Sequence, residues 1–142
     1  PKKIRGFRGR RVKLPPARAT PPKSATPKVI SCSAWAVITT IFHPTLLVRQ
    51  LASLPDWCTV VVGDRKALPK ELYMQALGLD AEKTARVAYL DVAAQENLPY
   101  RLALKLPWNH FGRKNLGFMY AIAHGARVVY DTDDDNELIH PP

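Results

Sequence analysis

Four carboxylates lie within five positions near the end of the sequence, at Asp131, Asp133, Asp134 and Asp135. Carboxylates this close repel one another unless a cation is present, and a hard divalent ion with oxygen ligands neutralises them well. Alternate side chains of an extended backbone point the same way, so Asp133 with either Asp135 or Asp131 could be aimed at one metal ion. The competing interpretation is a solvated acidic turn.

The segment before the acids supports a metal or ligand site. Residues 128–130 are β-branched or aromatic and follow the turn signal Gly125-Ala126, which predicts a short buried strand. The carboxylates then stand at the carboxyl end of a strand. In an open α/β sheet this edge is where ligands bind.

The rest of the chain alternates strand and helix patterns, which predicts an α/β fold with an open, mostly parallel sheet. An apolar central strand, a helix with leucines at helical spacing and a second strand form one βαβ unit. A loose helical excursion, a third strand and a final amphipathic helix follow. The predicted elements are strands at 34–41, 57–63 and 87–91, and helices at 46–54, within 67–85 and at 109–124.

Three further side chains are candidates for nucleotide binding. Asp64 follows the second strand, where nucleotide-binding α/β folds often hold ribose or base, although an acid in a Gly-Asp turn is also a common turn former. Arg113 and Lys114 lie near the start of the last helix, where free N–H groups and the helix dipole favour an anion. In isolation, two solvated surface charges would explain the same pair. His110 and His124 are better explained as helix-end residues than as catalytic bases, and no catalytic residue can be assigned.

The net charge of +9 is concentrated in the first segment of the chain. Residues 1–28 carry ten Lys or Arg, no acid and six of the thirteen prolines, whereas residues 29–142 have a net charge of −1. This composition predicts a disordered basic linker or stem over 1–28 and a folded, incomplete domain over 29–142. The basic segment could bind RNA or anionic lipid, but the folded part does not favour nucleic acid.

Two cysteines, Cys32 and Cys58, each lie just before the apolar core of a predicted strand. If those strands are parallel neighbours, the thiols lie at the same end of the sheet and could form a disulfide in an oxidising compartment. Two separate buried thiols are the favoured expectation.

Residues 113–126 read Arg-Lys-x-x-Gly-(aromatic)-x-x-Ala-Ile-x-His-Gly-Ala, and Asp131-Thr132-Asp133-Asp134 follows. This combination resembles the STELLO family of glycosyltransferase-like proteins, and the likeness extends over residues 34–139. Asp135 and Asn136 depart from the family's pattern.

The resemblance implies a Rossmann-like GT-A type domain, truncated after the acid motif, that binds a nucleotide sugar. Its Asp-x-Asp motif would hold Mn²⁺ or Mg²⁺, with Asp131, Asp133 and Asp134 matching the acids and Arg113 and Lys114 matching the basic pair. It also implies a luminal domain at the Golgi membrane, anchored through a segment outside this sequence. A glycan acceptor and a polysaccharide synthase complex are its implied partners.

Three hypotheses follow from the sequence. The first is a metal-dependent glycosyltransferase that uses a nucleotide sugar. The second is a catalytically weak GT-A-like scaffold that supports assembly of a membrane complex. The third is a basic nucleic-acid-binding protein, whose binding would depend on residues 1–28.

Overall fold

The computed structural model describes residues 31–139, which form a four-stranded parallel sheet with helices on both faces. The prediction of a Rossmann-like α/β fold is therefore confirmed. The expected basic stem at residues 1–28 lies outside the described residues. The elements in chain order are β1 Ala34–Thr40, α1 Leu46–Ser53, β2 Trp57–Gly63, α2 Lys70–Leu77, α3 Ala81–Thr84, β3 Val87–Leu90, α4 Val92–Glu96, 3-10 helices at Arg101–Leu104 and Phe111–Arg113, α5 Lys114–Ala123 and β4 Val128–Asp131.

The strands are ordered β3-β2-β1-β4, so the first strand of the sequence is central. Every neighbouring pair is parallel. Residues that alternate along β1 enter opposite cores, as expected for a strand covered on both faces. Ala36 and Ile38 pack with α1 and α2, while Trp35 and Val37 pack on the face that α5 covers.

Helix α5 lies very close to the sheet at Gly117. A Cβ atom added at this glycine would lie 2.6 Å from Val37 Cγ1 and 3.0 Å from Val62 Cγ2. The helix stops at Ala123, and Gly125 follows in the left-handed region with φ 90°. Glycine at 117 thus brings the first residues of α5 to the carboxyl ends of β1 and β2.

Strand β4 forms at the predicted position, but the prediction that it is buried is wrong. Val128, Val129 and Tyr130 are 56%, 36% and 41% exposed, because β4 is the edge strand of the sheet among the described residues. Its β-branched residues identify the strand correctly. They do not indicate whether another element covers it.

Cys32 and Cys58 form a disulfide, so the expectation of two separate thiols is wrong. The parallel register pairs Trp35 with Cys58, which brings the two cysteines to the same end of neighbouring strands with a Cα–Cα distance of 5.7 Å. Within residues 31–139, no helix has the length and apolar character needed to cross a membrane.

Candidate functional site

A cleft of about 500 Å³ opens at the carboxyl ends of β1 and β2. Its lining comes from these strand ends, from the loop before α5, and from the last three residues of the segment 131–135, which we call the acid segment. The lining residues are 39–42, 62–64, 109–111 and 133–135, together with Lys66 and Arg113. Three of the four carboxylates of the acid segment therefore border this cleft.

The backbone of the acid segment does not continue as a strand. β4 ends at Asp131, and Asp134 and Asp135 form a turn. The carboxylates consequently separate into three environments. Asp131 and Asp133 meet at one cation, Asp134 turns toward β1, and Asp135 is an exposed residue of the cleft wall.

Lys114 is the cation between Asp131 and Asp133. Its Nζ lies 2.8 Å from Asp131 Oδ1 and 2.6 Å from Asp133 Oδ1, and it donates a 3.0 Å hydrogen bond to the Thr132 carbonyl oxygen. Burial by itself would lower the pKa of Lys114, but hydrogen bonds and charge from the two carboxylates outweigh it, and the pKa is raised. Lys114 is therefore a charged partner of the acid segment and not a solvated surface residue.

Asp134 is tied to the end of the central strand. Its Oδ2 accepts a hydrogen bond from the Thr40 hydroxyl, and the residue is only 9% exposed. The Phe42 backbone N–H donates in turn to Thr40 Oγ1 at 3.0 Å. This contact fixes the turn of the acid segment against the carboxyl end of β1.

Arg113 is almost completely buried, with 2% of its surface exposed. Its Nε donates to Gln95 Oε1 at 2.7 Å, its Nη1 donates to the Leu106 carbonyl at 2.9 Å, and its guanidinium lies 3.5 Å from the centre of the Trp108 ring. Burial lowers the pKa of Arg113, which the nearby negative charge of Asp64 partly opposes. Nη2 is buried without a hydrogen-bond partner among the described residues.

Gln95 connects this arginine to the sheet. The side chain is fully buried, and its Nε2 donates to the Gly63 carbonyl at 2.6 Å and to the Leu90 carbonyl at 2.7 Å. These carbonyls end β2 and β3. The amide therefore joins two strand ends to the loop that carries Arg113.

Asp64 lies at the cleft and also forms a turn. Its Oδ1 accepts from the Arg65 N–H at 2.6 Å, and its own N–H donates to the Thr40 carbonyl at 3.0 Å. Both histidines are confirmed as helix-end residues. His110 Nδ1 accepts from the Gly112 N–H at 3.0 Å, and His124 Nδ1 lies 2.7 Å from the Tyr120 carbonyl.

The acid segment supplies oxygen atoms suited to a cation, but they are not gathered into a complete metal site. Over residues 31–139, no group of three or more His, Cys, Asp or Glu side chains could hold a metal ion. Two carboxylate oxygens and one carbonyl oxygen nevertheless surround the single ammonium of Lys114. Hard oxygen donors around a positive charge fit the chemistry that Mn²⁺ or Mg²⁺ requires.

Three residues of this site were not predicted from the sequence: Thr40, Gln95 and Trp108. Thr40 ends an apolar strand and resembles any β-branched strand residue. Gln95 lies in a stretch without clear periodicity. Only Trp108 offered a signal, because an aromatic residue shortly before an arginine can stack on its guanidinium.

Two proteins of Arabidopsis thaliana are similar to this chain in sequence. No protein-family model matches it. It is 31% identical over 105 residues, or 74% of its length, to a protein of Arabidopsis thaliana named Probable glycosyltransferase STELLO1, and 30% identical over 105 residues to STELLO2 of the same plant. The chain is therefore similar in sequence to a part of the STELLO proteins. The match covers 12% of the length of each of these relatives.

Proposed function

We propose that this STELLO-like chain forms the nucleotide-sugar-binding part of a GT-A type glycosyltransferase. The proposal depends on one observation: Asp64, Arg113 and most of the acid segment meet at one cleft on the carboxyl edge of a parallel sheet. A cleft of about 500 Å³ has the size of a typical small-ligand site. The names of both Arabidopsis relatives support the same class of activity.

In this proposal, Asp64 contacts the nucleoside, and Arg113 faces the phosphates or the base. Lys114, predicted from the sequence to share that role, pairs with Asp131 and Asp133 and does not line the cleft. The 3-10 helix Phe111–Arg113 leads directly into α5, so the N–H groups of Gly112, Arg113 and Lys114 are already hydrogen-bonded. The contribution of α5 is the positive end of its dipole. Of the four predicted metal ligands, Asp131, Asp133, Asp134 and Asp135, the pair Asp131 and Asp133 would hold Mn²⁺ or Mg²⁺, because their carboxylates meet at one point. The ion would neutralise charge on the nucleoside diphosphate leaving group.

Two charged side chains beside the cleft, Arg113 and Asp134, are each fixed by contacts within the protein. Arg113 is fixed by Gln95 and Trp108, so its guanidinium is held beside the cleft at no further ordering cost. Asp134 is fixed by Thr40 in the same way. Positioned charges of this kind stabilise developing negative charge better than mobile ones.

The glycan acceptor and the location of the protein are also proposals. We infer a luminal domain of the Golgi membrane, anchored outside the described residues. The Cys32–Cys58 disulfide supports this location, because disulfides persist in the oxidising secretory pathway. Nucleic acid is not proposed as a partner.

A second candidate function is a scaffold for a polysaccharide synthase complex. The internal partners of the charged groups favour it: Lys114 contacts Asp131 and Asp133, and Arg113 contacts Gln95 and Leu106. In a domain with little catalytic activity, these contacts would serve to stabilise the fold.

Calorimetric titration of UDP and GDP into the intact protein, with and without Mn²⁺, tests the proposal. We expect binding that needs Mn²⁺ and that Asp133→Asn weakens at least about tenfold, since a carboxylate that holds a cation is lost. Asp56→Asn is the matched control. Asp56 has a positive φ of 61°, which asparagine tolerates, and it precedes β2 at the opposite end of the sheet. Absence of nucleotide binding under every condition would favour the scaffold.

A further inference from the structure

We propose that Lys114 is a built-in counter-cation of the acid segment, which competes with a divalent ion for Asp131 and Asp133. This inference rests on the proposed function, because it concerns the cation that the acid segment would hold. It assigns Lys114 a role other than phosphate binding. The lysine sets how tightly the acid segment takes up a metal.

The contacts of Lys114 resemble those of a bound cation. Its ammonium contacts one oxygen of Asp131, one oxygen of Asp133 and the Thr132 carbonyl, all within 3.0 Å. The two aspartates and the lysine therefore carry a combined charge of −1. A divalent ion is still attracted to this group, but less strongly than to two free carboxylates.

The exposure of the three side chains leaves a path for an ion. Lys114 is 15% exposed, whereas the side chains of Asp131 and Asp133 are 59% and 66% exposed. The lysine thus approaches the carboxylates from the protein side, and their other side faces solvent. A metal ion can reach them without first passing the lysine.

The backbone of Lys114 is fixed, so only its side chain can respond. Lys114 begins α5, and the close approach at Gly117 holds this helix against Val37 and Val62. The ammonium can withdraw by rotation about the side-chain bonds, while the helix stays in place. Metal uptake is therefore coupled to one flexible side chain and not to a movement of the helix.

Titration of Mn²⁺ alone into the intact protein measures this competition. We expect Lys114→Met to bind Mn²⁺ about tenfold more tightly than the wild type, because a positive charge beside the ion is removed and solvent screens part of its effect. Lys114→Arg keeps the charge and is expected to bind within about twofold of the wild type. Lys105→Met, an exposed lysine in the loop before α5, controls for the change in net charge.

Two results would overturn the inference: unchanged or weaker Mn²⁺ binding by Lys114→Met, or no Mn²⁺ binding by any of the proteins. A titration of UDP into the wild type, with and without saturating Mn²⁺, separates these results from a failure of the proposed function. UDP binding that needs Mn²⁺, together with either result, would retain the nucleotide site and reject the competition.

A measurement on the wild type avoids dependence on the folding of a variant. Mg²⁺ is diamagnetic, so the Cε and Nζ resonances of Lys114 can be followed by NMR while it is added. We expect them to move toward the positions of solvent-exposed lysines as Asp131 and Asp133 take up the ion. Resonances of Lys114 that stay in place at saturating Mg²⁺ would contradict the proposal.

Discussion

The two ends of the parallel sheet are held together by different chemistry. At the amino end, the Cys32–Cys58 disulfide joins β1 and β2, and the Trp35 indole N–H donates to the Cys32 carbonyl at 2.9 Å. At the carboxyl end, the contacts of Gln95 and Arg113 are hydrogen bonds among polar and charged side chains.

This difference means that the amino end of the sheet contributes to stability, whereas the carboxyl end contributes to both stability and ligand binding. Parallel strands place all their carboxyl ends at one edge, so functional groups collect there and the other edge is free to be closed by covalent and apolar contacts. Trp35 is 1% exposed and packs edge-on against Tyr120 with ring centres 6.0 Å apart. We therefore expect changes at the amino end to affect folding alone, and changes at the carboxyl end to affect folding and ligand binding together.

Removal of the disulfide is the largest expected effect. The double substitution Cys32→Ala and Cys58→Ala opens a loop with a sequence separation of 26. It should lower the free energy of unfolding by about 3.5 kcal/mol through loop entropy. Urea unfolding measures the loss, and reduction of the wild type with dithiothreitol should reproduce it. Nucleotide affinity should stay within about twofold, since the site is at the other end. A tenfold loss of nucleotide affinity would contradict the separate roles of the two ends of the sheet.

Arg113→Met tests the carboxyl end. It leaves Gln95 Oε1 and the Leu106 carbonyl without their donor and removes the contact with Trp108. We expect a loss of about 3 kcal/mol in urea unfolding, together with weaker UDP binding. Arg65→Met is the matched control, because Arg65 is exposed and lies 4.9 Å from the same Trp108 ring. Its loss should be below about 1 kcal/mol. Equal losses from both variants would show that burial of Arg113 contributes little.

Thr40→Val is the smallest of these changes and keeps the shape of the strand end. It removes the hydroxyl that donates to the nearly buried Asp134. We expect a loss of about 1.5 kcal/mol in unfolding free energy, since the acceptor is charged. Thr39→Val makes the same chemical change at the preceding position of β1 and is expected to cost less than about 0.5 kcal/mol. A larger loss from Thr39→Val would place the important hydroxyl on the other face of the strand.

The strands and their order along the chain could be predicted because their β-branched residues are local signals. The place of Arg113 and Lys114 at a helix start is likewise a property of neighbouring residues, and it is confirmed. Their partners could not be predicted. Gln95 and Asp131 reach these side chains only through the pairing of strands far apart in sequence.

The same reasoning explains the two errors. Exposure of β4 depends on what lies beside it, which the composition of Val128–Asp131 does not encode. The disulfide depends on the register between β1 and β2, which places Cys58 opposite Trp35. A sequence pattern shows that two cysteines lie near the starts of two strands. It does not show that these strands are neighbours.

The central position of β1 also determines when the cleft can form during folding. The β1 and β2 strands belong to one short stretch of chain, but Thr40 and Asp134 are 94 residues apart. Closing so long a loop has a high entropic cost, and contacts of this separation form slowly. During synthesis, the second edge of β1 stays unpaired until β4 has left the ribosome. We therefore expect the acid segment to pack late in folding, after β1 and β2 have paired.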